Sequence, residues 1–203
     1  MLKKLLAAAC LGLMLSVPVL AQAGPDALVK RISSEVIDTA KTDPAIQAGN
    51  IDKVIALVDA KVMPSVNFEV MTRSAVGPQW RQASADQRGK LQAEFKTLLV
   101  RVYAGALAQL GEQTVAVTKT QPVAGSTQVV VQTEVRGKGE PIKLDYRLDK
   151  AAAPDAAWKI IDVNVGGLWL VQNYRSQFAP ELSKGGIDGL INTLVERNKS
   201  AAK

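Results

Sequence analysis

Apolar residues recur along this chain in two rhythms, and the change from one to the other falls after Gly111. Leu28, Ile32, Val36 and Ile37 recur at helical spacing behind Pro25, which predicts a helix over residues 25–41. Asp43-Pro44 breaks it. Val54, Ile55, Val58 and Val62 mark a second helix over 51–62, interrupted at Pro64. Phe68, Met71 and Val76 mark another, ending near Gly77-Pro78. Ser84 and Gln87 have the spacing of a capping box, in which each side chain satisfies the other's orphan N–H. Behind them Leu91, Phe95, Leu98, Leu99, Val102, Ala106 and Leu110 give the longest helix a broad apolar face, with Gly111 as its stop.

The period then falls to two. Residues 114–121 alternate weakly. Val129, Val131, Thr133 and Val135 share one face of the next strand, and Leu144, Tyr146 and Leu148 one face of the clearest. Residues 158–165 complete an expected four-stranded antiparallel meander with one wet face. After Gly166-Gly167 the helical period returns through Phe178. It breaks at Gly185-Gly186 and resumes over 187–198. Helices, then strands, then helices predict an α+β fold: a four-stranded antiparallel sheet covered by N-terminal and C-terminal helices.

Composition narrows the function. Lys3 and Lys4, an apolar run from Leu5 to Leu20 and Ala21-Gln22-Ala23 have the form of a signal peptide over residues 1–23, cleaved after Ala23. The exported part is then one domain over 24–203. The net charge of +6 includes the two leader lysines, leaving +4. That favours approach to an anionic surface but is too diffuse to indicate nucleic acid. The chain has no histidine, and its one cysteine, Cys10, lies in the leader. Most metal sites and the Ser-His and Cys-His nucleophile systems are thereby removed. Carboxylates, lysines, tyrosines and hydroxyls remain.

Three stretches carry a resemblance. MTRSAVGPQWRQASADQRGKLQAEFKTLLVRVY (71–103), VNVGGLWLVQNYRSQF (163–178) and GGIDGLINTLVERN (185–198) together resemble the MlaC, or toluene-tolerance, family of exported phospholipid-binding proteins. The resemblance implies a sheet related to nuclear-transport-factor-like and cystatin-like folds, with an apolar cavity between sheet and helices. It implies acyl chains in that cavity as cargo and no cofactor. It implies a periplasmic carrier that shuttles lipid and so maintains outer-membrane asymmetry. Its partners would be an outer-membrane lipoprotein–porin complex and an inner-membrane ABC transporter complex with its substrate-binding subunit. Two positions depart from the family pattern: Trp169, where a small residue is usual, and Asn67, where an acid is common.

Pattern and resemblance together nominate the lipid contacts. Phe68 and Met71 come from the helix before the capping box, and Leu98, Leu99, Val102, Tyr103 and Leu107 from the long helix. Val129, Val131, Leu144, Tyr146, Val163 and Val165 come from the apolar sheet face, which also carries Val135, Leu148 and Ile161. Leu168, Trp169 and Tyr174 follow the last strand. Arg175 is the candidate for the head group or mouth. The same residues also read as ordinary core, and Arg175 as the ion-pair partner of Asp162. An alternative function keeps the fold and makes it an exported enzyme for a small apolar substrate, with Asp162 as acid or base.

Overall fold

The computed structural model describes residues 23–108, 113–137, 139–150 and 156–200. Residues 1–22, which hold most of the expected leader, and Leu110 and Gly111 lie outside them. Among the described residues no helix is long and apolar enough to cross a membrane.

Helix α1 (Pro25–Thr42) starts on Pro25 and buries Val29, Ile32, Ser33, Val36, Ile37 and Ala40 along one stripe. Asp43 accepts from the N–H groups of Ala45 and Ile46 and starts the one-turn α2 (Pro44–Gln47). Asn50 caps α3 (Ile51–Leu57) through the Lys53 N–H. The expected helix over 51–62 does not run through as α. From Val58 to Val62 it widens into a π turn, then tightens into 3₁₀ over Met63–Ser65, where Pro64 enters. Asn67 accepts from the Val70 N–H at 3.2 Å and caps α4 (Phe68–Val76), so an amide does there what an acid would do.

A 3₁₀ stretch (Gly77–Gln82) leads to the capping box. The Ser84 N–H donates to Gln87 Oε1 at 2.9 Å, and the Gln87 N–H to Ser84 Oγ at 3.2 Å. Helix α5 (Ala85–Ala108) follows.

The sheet is an antiparallel meander in sequence order: β1 (Thr114–Pro122), β2 (Val129–Arg136), β3 (Ile142–Lys150), β4 (Trp158–Val165) and β5 (Leu168–Trp169). It therefore has five strands rather than the expected four. Gly166 and Gly167 both take positive φ (58° and 96°), a conformation open to glycine. That reverses the chain so tightly that Leu168 and Trp169 pair back onto Val165 and Asn164. A second difference lies in β4. Arg147 pairs with Asp162 but Leu148 with Ile160, so Ile161 is an inserted bulge residue. Strict alternation puts Ile161 on the face of Val163; the bulge gives that place to Ile160.

Helix α6 (Leu170–Ser200) is broken at Gly186 (φ 60°, ψ −154°), where the sequence predicts the break.

The core forms two clusters. One joins α4, α5 and α6 through Phe68, Trp80, Phe95, Tyr174, Phe178 and Leu190. The other joins α1, α2 and α3 to the sheet through Val29, Ile46, Val54, Val131, Leu148 and Ile160. Helix α5 serves both, giving Leu91, Phe95 and Leu98 to the first and Val100 and Ala104 to the second.

Candidate functional site

The two clusters do not close on each other. Between them lies a cavity of about 260 Å³ that opens to solvent. Its walls come from six places. Helix α1 supplies Ile32, Ser33, Val36 and Ile37, and the irregular stretch after α3 supplies Val58, Val62, Met63 and Val66. Phe68 and Met71 come from α4, with Leu170 at the start of α6. Lys96, Leu99, Val100 and Leu107 come from α5. Val115, Val135, Leu144, Tyr146, Ile160 and Val163 form the floor on the sheet. The strand register accounts for the floor. Tyr146 faces Val163 across β3 and β4, and Leu144 faces Val165, so alternate residues of adjacent strands present one apolar surface.

Three polar groups interrupt this lining. Burial pushes the Tyr146 phenol above its ordinary range, and a hydrogen bond with Ser33 opposes the shift. Lys96 is the third, and its ammonium lies 2.7 Å from Asp59 Oδ1.

Of the nominated lipid contacts, Phe68, Met71, Leu99, Leu107, Leu144, Tyr146 and Val163 line the cavity. The others lie elsewhere. Leu98 is buried in the α4–α5–α6 cluster, with Tyr103 and Val165 packed against it. Val131 is fully buried in the second cluster, and Val129 packs beside it. Val102 and Leu168 are about half exposed (54% and 50%). Trp169 does not narrow the cavity: its ring stacks on the Arg147 guanidinium at 4.4 Å. The wall from α1 and the 58–66 stretch was not anticipated, because an apolar helical stripe reads the same whether it meets side chains or space.

Tyr174 and Arg175 separate. Arg175 is exposed and packs over Gly77, where a Cβ would stand 3.6 Å from its Nε. Among the described residues no ion pair joins it to Asp162, whose carboxylate accepts instead from the Val163 and Val171 N–H groups. Tyr174 is buried against Phe95, at 4.9 Å between ring centres and 67° between planes. Burial pushes its phenol up to about 12; neighbouring Tyr103 adds to the shift and Arg197 opposes it. The folded protein thus keeps a proton that the unfolded chain releases near 10.0. Stability that Tyr174 supports at neutral pH is lost as pH rises through that window. Alkaline unfolding followed by circular dichroism is expected to show a shallower loss between pH 10 and 12 for Tyr174→Phe than for the parent.

Asp162 is not aimed into the cavity. One carboxylate oxygen accepts from the Val163 N–H (2.9 Å) and the Val171 N–H (3.0 Å), tying β4 to the first turn of α6. Burial raises its pKa, against those two donors and the nearby Arg147. The side chain borders a separate polar groove with Arg73, Arg147 and Lys159. Among the described residues, no group of three or more Cys, Asp or Glu is arranged to hold a metal ion.

Comparison with known proteins agrees with this architecture. The family model described as MlaC protein matches residues 30–196. The chain is 21% identical over 179 residues to the intermembrane phospholipid transport system binding protein MlaC of Haemophilus influenzae, covering 87% of this chain and 83% of that protein. It is 22% identical over 184 residues to the toluene tolerance protein ttg2D of Pseudomonas putida, covering 87% and 84%. A phospholipid-binding protein from Ralstonia solanacearum, solved in complex with a phospholipid, is similar with a TM-score of 0.83 and 44% identity. The match covers 89% of this chain and all of that one.

Proposed function

The chain belongs to the MlaC family, and from that premise we propose that it is an exported phospholipid carrier. Its signal peptide ends at Ala23 and a single lipid-binding domain follows. The domain holds acyl chain in the cavity between sheet and helices. It passes lipid across the periplasm between an outer-membrane lipoprotein–porin complex and an inner-membrane ABC transporter complex with its substrate-binding subunit. Outer-membrane lipid asymmetry is maintained as a result. Its sheet is of the nuclear-transport-factor-like and cystatin-like kind.

The observation that carries this reading is the open apolar seam between two otherwise close-packed clusters. Protein interiors tolerate few voids larger than a water molecule, because unfilled space forfeits dispersion contacts. A cavity of about 150 Å³ lined by Leu, Ile and Phe binds benzene. By proportion, about 260 Å³ takes roughly ten methylenes of one acyl chain. At about 0.8 kcal/mol per buried methylene, that shelters about 8 kcal/mol of a lipid's hydrophobic free energy from water. A whole two-chain lipid exposes about 30 methylenes, worth about 25 kcal/mol, so it does not cross water unaided. Full loading therefore widens the seam. The π turn at Val58–Val62 departs from regular α-helical hydrogen bonding, and it is the wall we expect to yield. A passive cavity supplies no direction; direction comes from the partners.

The enzyme alternative loses its acid. Asp162 holds two backbone N–H groups and borders another groove, so it does not face a substrate in the cavity.

The test is native mass spectrometry of the exported chain purified without added lipid. Phospholipid adducts in proportions that follow the host membrane are expected. A protein that neither retains phospholipid nor acquires it from vesicles would refute the proposal.

A further inference from the structure

We infer that Lys96 is the phosphate counter-ion of this cavity and that Asp59 holds it until lipid arrives. The inference rests on the carrier reading above and adds to it a recognition element for the polar end of the cargo.

Lys96 is the one charged side chain among the described residues that line the cavity. A charge bordering apolar space is costly unless it is paired or wet. Lys96 meets that demand at an edge: its side chain is 25% exposed, and its ammonium reaches Asp59 Oδ1 at 2.7 Å. A lysine so placed can lay its aliphatic stem along an apolar wall and keep its ammonium toward water. An acyl chain seated inside leaves its glycerol phosphate at such an edge.

Asp59 lies on the π turn Val58–Val62, which also gives Val58 and Val62 to the wall. The next-but-one residue, Lys61, reaches Glu35 of α1 at 3.7 Å. The turn, which forms part of the cavity wall, is therefore held by two ion pairs, one to α5 and one to α1. Both are partly exposed, and exposed pairs contribute little to stability. Exchanging the Asp59 carboxylate for a phosphodiester oxygen keeps the Lys96 charge compensated. It frees the turn to move as the chain enters. A lysine acts on phosphate as a point charge and does not read what is esterified beyond it. Lys96 thus recognises the group common to glycerophospholipids and leaves the head group unselected.

The experiment offers delipidated protein either phosphatidylglycerol or the diacylglycerol with the same chains, each from mixed micelles, and measures affinity for both. Lys96→Met is expected to weaken phosphatidylglycerol binding about ten-fold and leave diacylglycerol unchanged. Lys96→Arg is expected to keep both. Asp59→Asn, which removes the competitor, is expected to strengthen phosphatidylglycerol binding alone. Excess inorganic phosphate is expected to leave loading unchanged. Equal binding of both lipids by Lys96→Met and the parent would overturn the inference and leave the carrier standing. So would parallel loss of both lipids in Lys96→Met and Asp59→Asn, which marks a merely structural pair. Competition by inorganic phosphate would replace it with a free-anion site. A parent protein that takes up neither lipid would overturn the carrier reading itself.

Discussion

Phe95→Ala is expected to lower stability by about 3–5 kcal/mol, the largest single effect foreseen for this chain. Phe95 is fully buried at the middle of α5. Its ring centre lies 5.6 Å from Phe68 on α4, and 4.9 Å and 5.2 Å from Tyr174 and Phe178 on α6. The last two contacts are edge-to-face, at 67° and 76°. Such pairs add about 0.5–1.5 kcal/mol beyond area burial. Because the partners come from two other helices, deletion leaves a hole that no single helix can close by shifting. Most domains have only about 5–15 kcal/mol to lose. Leu99→Ala is the control. Leu99 borders the cavity, so part of its surroundings is already space, and its cost should fall at or below the low end of the usual 2–5 kcal/mol. Urea titration measures both. Phe95→Ala costing no more than Leu99→Ala would mean that the three helices are not closed on one another as described.

The contrast between these two residues shows what the sequence discloses. Phe95 and Leu99 sit four apart on one apolar stripe of α5 and look alike. The period of 3.6 identifies the stripe, and the Ser84–Gln87 box fixes where it starts. Neither says whether the stripe meets atoms or space, since that depends on how far α1 and the sheet stand from α5. The α+β order, the long helix and the break at Gly186 were legible for the same reason that they are local: each is set by spacing, a cap or a glycine. The bulge at Ile161 was not. Ile160 and Ile161 are both apolar, so alternation cannot tell which is the inserted residue; pairing with Leu148 decides it. Strand β5 escaped notice because two residues carry no period. Lys96 escaped notice because a lone lysine on a long helix reads as solvated surface. Only its position against the π turn distinguishes it.

Tryptophan scanning of the sheet face is expected to separate core from cavity within three neighbouring positions. Val131, Tyr146 and Val163 pair in a row across β2, β3 and β4, and Leu144 lies two residues from Tyr146 on the same face. Alternation treats Val131, Leu144 and Val163 as equivalent. The structure divides them: Val131 is fully buried with Leu148 and Ile160, whereas Leu144 and Val163 look onto the cavity. An indole at 144 or 163 has about 260 Å³ to enter. Those two variants should melt within a few degrees of the parent while losing most of their co-purified phospholipid, because the ring occupies space otherwise filled by acyl chain. At 131 the same ring has no room. Overpacking there costs about 1–3 kcal/mol, which for a domain of this size lowers the melting temperature by several degrees. Lipid should be retained by the fraction of Val131→Trp that folds. Thermal melts and lipid extraction on the same preparations give both coordinates for each variant. Unfolding at all three positions would mean that the seam is packed core. Full lipid loads at 144 and 163 in stable proteins would mean that acyl chain enters by another face.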